Sequence, residues 1–371
     1  MVVVLCCTPN ASRAQTVGAG GVLQSYRFAD ADAAGLESIQ LLTTPFAVAV
    51  PIGSLLSLQA SGAYAIGTAT APDGQQVTLT GLTDTHIGLS IGVGLDWLVV
   101  TARASLPTGA STYTAGESLV ASVVAAELLP FAISTWGSGG SVGAAVAVVT
   151  QAAGGWGVGF AGGYNVAGEY EPLQGQQLGY RPGDQLQARL ALDHDVGGSG
   201  TLSILLGFQN FGNDQMSGDD LFRSGNRLEG TFTYAFAVGR RSSALLFGGV
   251  SHRSNGTLLN QSSSLGGATD SPAQQLFRFG TNVRLPIGRR AALLPTLEAR
   301  VFRAEDGASQ GWMTTAGASL DVRIAGGPSG QRLVLAPSAR MRLGRVIVSE
   351  GLETGVTGWE AGLTLRAVLG R

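Results

Sequence analysis

A histidine and a serine two residues apart form the grouping in this sequence that is best suited to catalysis. His252 and Ser254 lie in the stretch SHRSNG, residues 251–256. Side chains two positions apart share one face of a β-strand, so the two would meet if a strand continues through them. An imidazole can activate a neighbouring hydroxyl as a nucleophile, provided that a third group orients the ring. The alternative is a polar loop start that contains both residues without a catalytic role.

The other two histidines predict no metal site. His86 and His194 have no partners at the spacing typical of metal ligands, so we interpret them as ordinary rim or lumen residues. No cofactor is predicted.

The second group of residues with chemical potential is a set of charges at alternate positions in the last hundred residues. Seven of these ten residues are arginines, and three are acidic. If they share the inner face of a barrel, they form cross-strand ion pairs, or their surplus positive charge either holds an acidic plug segment with Asp30, Asp32 and Glu37 or favours anions and carboxylated solutes. The set comprises Arg278, Arg284, Glu298, Arg300, Asp321, Arg323, Arg340, Arg342, Glu360 and Arg366.

The segments that carry these charges predict five consecutive β-strands. In each segment, aliphatic or aromatic residues alternate with the polar ones over about ten residues or more, as Phe277, Phe279 and Val283 do around Arg278. That length crosses a bilayer when the strand is tilted. A soluble sandwich also alternates, but its strands are shorter and its turns more frequent. The pattern therefore favours an all-β, transmembrane, antiparallel up-and-down β-barrel.

Composition agrees with a membrane barrel. The chain has 371 residues, 56 of them glycine, and only 13% charged residues, with a positive mean hydropathy of +0.23. No run of ~20 unbroken apolar residues predicts a membrane-spanning helix. The net charge of -2 supplies no basic surface for phosphates, so we expect no nucleic-acid partner.

Strand candidates joined by alternately short and long links extend the barrel to residues 41–371. The alternation is typical of outer-membrane barrels, in which tight periplasmic turns face larger outer loops. Fifteen candidates are found, whereas single-chain bacterial barrels have an even number. We predict about 14 strands, within a range of about 12 to 16. Residues 15–40 then form a plug or a first strand, the candidate strand being residues 21–28.

One stretch departs from the strand pattern. Apolar residues recur at helical spacing in residues 118–129, after a Thr-Ala-Gly-Glu start at residues 114–117 and before Pro130. A helix folded into the lumen as a constriction and an extension of two strands are both consistent with the sequence.

Residues 1–14 are predicted to be a signal peptide. A short apolar run at residues 2–7 precedes Ser12-Arg13-Ala14, which carries small residues at the two positions a signal peptidase reads. Both cysteines, Cys6 and Cys7, fall in this segment, so the mature chain needs no disulfide in an oxidising compartment.

Short motifs carry a resemblance to known channels. Residues 81–85 (GLTDT) and 104–109 (ASLPTG), with 168–172 (GEYEP) and 180–184 (YRPGD) in the next long loop, are similar to segments of outer-membrane channels. The families resembled are the long-chain fatty-acid and toluene transporters and the phenol-degradation-pathway outer-membrane proteins. The resemblance implies a passive barrel for hydrophobic small molecules with an N-terminal hatch.

The SHRSNG stretch carries a second resemblance, to the His-x-Ser-Asn motif of outer-membrane lipid A deacylases. It implies His252 and Ser254 as catalytic residues. The sequence departs from that family, because residues 258–268 contain no carboxylate and Asp270 is the first acid downstream. Those enzymes are also much smaller barrels.

The sequence therefore predicts a non-enzymatic outer-membrane channel for small, hydrophobic or aromatic solutes in a Gram-negative-type bacterium. The alternatives are a lipid-modifying hydrolase and a structural barrel without transport. The expected partners are outer-membrane lipid, the barrel-assembly machinery and the solute.

Overall fold

A computed structural model describes residues 15–95, 97–175, 178–197, 200–259, 273–305, 307–326, 332–349 and 352–369. Most of these residues lie in antiparallel strands. The strands are β1 (Gln15–Phe28), β2 (Ser38–Ile52), β3 (Leu56–Thr70), β4 (Gln76–Leu82), β5 (Thr85–Gly92), β6 (Leu98–Leu106), β7 (Ser141–Ala152), β8 (Trp156–Ala167), β9 (Tyr180–Arg181), β10 (Gln185–Val196), β11 (Gly200–Phe211), β12 (Asn213–Met216), β13 (Asp219–Arg223), β14 (Arg227–Val238), β15 (Ser242–Arg253), β16 (Thr257–Leu258), β17 (Gln274–Ile287), β18 (Ala291–Ala304), β19 (Ser309–Gly326), β20 (Arg332–Ser349) and β21 (Leu352–Leu369).

The wall is one sheet closed into a barrel, because β1 pairs with β2 on one side and with β21 on the other. Both β4 and β5 pair with β3, one above the other, and together make a single interrupted wall strand. The described residues then form a closed barrel of 16 strands. The predicted fold class is confirmed, and the count lies at the upper end of the predicted range. The favoured number of 14 was too low because all fifteen candidates lie in the wall and residues 15–28 contribute the sixteenth strand.

The outer face of the barrel is apolar. Phe160 and Tyr164 on β8 and Met341 and Leu343 on β20 are each at least half exposed, and their neighbours along each strand point the other way. A closed sheet leaves no free edge in hydrocarbon, and an apolar outer band suits a lipid surround. The protein is a transmembrane β-barrel of the bacterial outer membrane.

Turn lengths alternate as the sequence predicts. The tight turns between β14 and β15 and between β17 and β18 contain Gly239 and Gly288, whose φ angles of 69° and 65° favour glycine. No helix in the described part of the chain has the length and hydropathy of a membrane span.

The long loops at the opposite end carry their own structure. A helical turn, α1 (Ala31–Ala34), joins β1 to β2. Strands β9, β12, β13 and β16 form a small sheet from three further loops. The longest described loop, residues 107–140, contains helix α2 (Ala115–Ala125) and folds into the barrel.

Candidate functional site

Residues 107–140, here called the inner segment, occupy part of the lumen. The segment leaves the wall after β6 and rejoins it at β7. Thr114 caps α2 in a capping box, in which its hydroxyl accepts from the Glu117 amide and the Glu117 carboxylate accepts from the Thr114 amide. The local sequence therefore forms a helix, and the alternative of extended strands is excluded.

One carboxylate fastens both ends of the inner segment. Asp84 lies at the interruption between β4 and β5, and its Oδ1 accepts from the Gly109 amide at 3.1 Å. Its Oδ2 accepts from the Ser138 amide and hydroxyl, both at 2.8 Å. The Asp84 amide donates in turn to the Trp136 carbonyl. Because Asp84 is almost fully buried, its carboxylate is separated from water and relies on these donors for its hydrogen bonds.

A tryptophan near the C-terminal end of the inner segment anchors it to the wall. Trp136 is fully buried, and its Nε1 donates to the Ala65 carbonyl on β3 at 3.2 Å. The ring packs with Val120 of α2 over Gly67, where a Cβ atom would lie 2.9 Å from either side chain. Only glycine gives the ring and helix room to approach the sheet this closely.

The stretch of the inner segment that follows α2 is held by a glutamine on β1. Gln24 Nε2 donates to the Pro130 carbonyl and to Glu360 Oε2, both at 2.9 Å. Its Oε1 accepts from the Ala132 amide at 2.7 Å. Because Gln24 is 1% exposed, these bonds satisfy a polar group that burial would otherwise destabilise.

The inner segment also reaches across the lumen. Glu127 forms a salt bridge of 3.3 Å with Arg227 on β14, and its carbonyl accepts from Arg300 on β18 at 3.2 Å. These strands lie far around the barrel from β3 and β4, against which α2 packs. The segment therefore crosses the lumen from the side of β3 and β4 to the side of β14 and β18.

The ten charged residues predicted from the C-terminal sequence lie on the inner face of β17 to β21, opposite the exposed aliphatic side chains. This inner face is here called the charged wall. Glu360 is buried and contacts Arg340 at 2.9 Å and also Arg342. Asp321 bridges Arg284 and Arg366 at 3.3 and 2.9 Å.

The same wall holds a third ion pair and two arginines outside any pair. Glu298 and Arg300 contact each other at 2.6 Å. Arg278 and Arg323 form no ion pair with any described residue. Three acids thus contact five of the seven arginines, which is the ladder that the sequence left as one alternative.

The acids proposed as a counter-charge for these arginines lie elsewhere. Asp30 caps α1 through Ala33 in the outer loop, and Glu37 lies 3.8 Å from Arg27. The Asp30 amide donates to the Thr354 hydroxyl on β21, but no ion pair joins these acids to the arginines of the charged wall within the described residues.

The opposite side of the lumen, formed by the inner face of β6, β7, β8, β10 and β11, is lined mainly by small side chains. This inner face is here called the small-residue wall. Exposed residues of the same strands, such as Val142, Phe160 and Leu206, point to the lipid. The inward positions include Gly143, Ala145, Gly159, Ala161, Gly163 and Gly207. Each inward position of residues 157–163 is glycine or alanine, so no side chain there extends into the lumen beyond a methyl group.

Two arginines also lie on the small-residue wall, and the sequence reasoning missed both. Arg103 on β6 pairs in register with Gly143, and Arg189 on β10 pairs with Ala161 and Gly207. Each is an isolated charge in an apolar run, whereas the charges of the C-terminal strands are frequent enough to reveal a pattern.

The two residues of the catalytic hypothesis are not brought together. His252 pairs with Leu228 and Gln275 on the lipid-facing side of β15, which ends at Arg253. Ser254 follows the strand, and its amide donates to the Asn226 carbonyl. The His252 Nδ1 is buried and has no partner in the described part of the chain.

No described group therefore orients the imidazole of His252. Asp270 lies outside the described residues.

The remaining histidines lie in the wall. His194 stacks on Trp156 with ring centroids 4.5 Å apart, near the short-turn end of the barrel. His86 pairs in register with Ser61 and Ser105. Within the described ranges, no group of three or more His, Cys, Asp or Glu side chains could hold a metal ion.

The small outer sheet contacts the inner segment. The Tyr113 amide donates to the Pro172 carbonyl, and the Tyr113 carbonyl accepts from Gln174. Tyr170 packs edge-on against Tyr180, and burial raises the pKa of Tyr170 to about 12. The phenols therefore stay neutral, and the loop that carries two of the channel-like motifs is joined to the inner segment through Tyr113.

No protein-family model matches the chain, and no relative is found among curated proteins. Among solved structures, the CymD monoaromatic hydrocarbon channel is 10% identical with a TM-score of 0.45, over 98% of this chain and 90% of that one. An outer membrane channel from Pseudomonas putida F1 is 14% identical with a TM-score of 0.36, over 96% and 95%. A loop-deletion mutant of OmpT, an outer membrane protein of Vibrio cholerae, is 10% identical with a TM-score of 0.44, over 95% and 99%. Similarity at this level does not assign a function.

Proposed function

We propose that the protein is a passive outer-membrane channel, in which the inner segment narrows the lumen and small solutes cross beside the small-residue wall. The observation that carries the proposal is the path of the inner segment. It is fastened to β1, β3 and β14, and no hydrogen bond or ion pair of the described residues joins it to the inner faces of β7, β8 and β10. A 16-stranded barrel encloses more space than side chains alone fill, so this side supports a solute path.

The solutes that suit this path are small and at least partly apolar. Helix α2 buries Val120 and Val124 against the sheet and exposes Leu119 and Ser122 on its other side, inside the barrel. A solute would therefore pass between glycine and alanine on one side and Leu119 on the other. The resemblance to channels for aromatic and fatty compounds supports the same solute class, and lipid and the barrel-assembly machinery remain the proposed partners.

The test is reconstitution of the refolded barrel. In planar bilayers we expect single-channel steps, and in liposome swelling we expect entry of a small neutral sugar such as arabinose. Protein that was boiled before reconstitution serves as the control, because it has lost the barrel. Refolded protein that gives neither conductance steps nor swelling contradicts a channel.

The hydrolase alternative is tested in the same preparation. We expect no release of fatty acid from lipid A by the native protein, because His252 and Ser254 lack a described orienting group and lie apart. Release that the Ser254→Ala substitution abolishes would instead establish the enzyme.

A further inference from the structure

We propose that Arg103 and Arg189 form a binding site for the carboxylate of small organic acids on the small-residue wall of the lumen. This inference rests on the proposed channel and names its preferred solutes. Both side chains leave the small-residue wall towards the lumen, Arg103 beside Gly143 and Arg189 beside Ala161. Two guanidinium groups that face the same part of the lumen favour an anion there.

Neither arginine has an acidic partner within the described residues. The nearest acid along the register is Glu229, which lies beyond Gly207 from Arg189 and is bound to Arg227 at 2.8 Å. Asp195, lower on β10, accepts from Thr201. Five arginines of the charged wall, in contrast, contact Glu298, Asp321 or Glu360.

The surroundings decide which anion fits. Gly143 and Ala161 flank the arginines in register, and Leu119 is exposed on the inner segment. A guanidinium group binds a carboxylate through parallel hydrogen bonds. The apolar part of the same solute is stabilised beside these small side chains, because it is removed from water there. An aromatic or short aliphatic carboxylate satisfies both parts of the site better than chloride or a sugar does.

The experiment compares benzoate with arabinose in the reconstituted full chain. In liposome swelling, the Arg103→Gln/Arg189→Gln double variant should lower the benzoate-to-arabinose rate ratio by about threefold or more, because two charges next to the path are lost. Reversal potentials in KCl gradients should shift towards cations. The Arg103→Lys/Arg189→Lys variant should keep most of the anion preference, and Arg289→Gln, in an exposed short turn, should leave the ratio unchanged.

The outcomes separate the two proposals. If native protein admits neither solute, the channel itself is wrong. If arabinose enters but the Gln variant keeps the native ratio, the carboxylate site is wrong. Unboiled gel mobility checks folding of each variant.

Native protein gives a test without substitutions, because its anion preference should weaken between ~0.1 M and ~1 M KCl, where the Debye length falls from about 10 Å to about 3 Å. Equal selectivity at both concentrations overturns the site.

Discussion

The charged wall and the small-residue wall face the same lumen and use arginine in opposite ways. On the charged wall, Arg342 is 3% exposed and contacts Glu360, which Gln24 links to the inner segment. On the small-residue wall, Arg103 and Arg189 contact no described acid. On the charged wall, three acids hold five of the seven arginines in ion pairs and leave Arg278 and Arg323 outside them, whereas neither arginine of the small-residue wall is held in this way. The number of charges in a stretch does not by itself indicate where binding occurs.

The largest expected effect comes from releasing the inner segment from the wall opposite the solute path. The Trp136→Ala substitution removes a fully buried ring and its hydrogen bond to Ala65. Comparable core truncations cost about 3–5 kcal/mol, which is enough to detach a single segment. We expect a several-fold rise in single-channel conductance.

Trp156→Ala is the matched control for this substitution. Trp156 stacks on His194 near the short-turn end and does not contact the inner segment. An unchanged conductance in Trp136→Ala, with native gel mobility, would show that the inner segment does not restrict the path.

The second prediction separates structural from exposed charge pairs. The Glu360→Gln substitution leaves the buried Arg342 without its counter-charge, and breaking a buried pair in this way costs about 3–5 kcal/mol. The Glu353→Gln substitution breaks an exposed pair with Arg345, for which about 0–1 kcal/mol is expected. The measurement is the temperature at which the folded band converts to the unfolded band on a gel. Equal shifts for the two variants would contradict a structural role for the charged wall.

The third prediction concerns the small-residue wall. Gly159 and Gly162 lie on β8 with opposite orientations, the first towards the lumen and the second towards lipid. A Cβ atom at Gly159 would lie 3.6 Å from Ala191, an ordinary contact, and one at Gly162 would meet nothing within 4 Å. Gly159→Leu should lower the conductance because its side chain enters the path, whereas Gly162→Leu should not. A reduction in both variants would point to a general disturbance of the barrel.

Much of this architecture follows from the sequence, because period-two alternation and the alternation of short and long links depend only on local chemistry. The first strand was left open, since Gly18, Gly20 and Gly21 weaken the pattern in β1. Helix α2 was also left open, because Val and Ser lower helix propensity. Packing against Gly67 and the Thr114 capping box decide its conformation.

The candidate site was harder to predict than the fold. Gln24, Asp84 and Trp136 fasten the inner segment through contacts between residues 24 and 130, 84 and 138, and 65 and 136. No spacing rule within one stretch reports such distant contacts. The GLTDT motif did single out Asp84, but only as part of a resemblance and without its role.

The smallest expected effect lies outside the membrane, where a loop joins the small-residue wall to the outer sheet. Asp184 accepts from the Tyr164 hydroxyl at 2.8 Å and the Ala167 amide at 3.2 Å, and pairs with Arg181 at 3.1 Å. Partial burial acts to raise the pKa of Asp184, but these hydrogen bonds and the arginine outweigh it and hold the pKa below its ordinary value of 3.8.

A carboxyl group with a lowered pKa in the folded state stabilises that state above its ordinary pKa and loses this contribution as the pH falls through the lowered value. Asp184→Asn should therefore loosen the loop at neutral pH by about 1 kcal/mol. Native protein should show the same change only below pH 3.8. Limited proteolysis of residues 168–184 at neutral pH measures the effect of the substitution, and hydrogen exchange of the same loop follows native protein into acid. Because the loop does not fasten the inner segment through Asp184, conductance should stay unchanged. A conductance change in Asp184→Asn would mean that the outer sheet, through Tyr113 and Leu173, controls the inner segment.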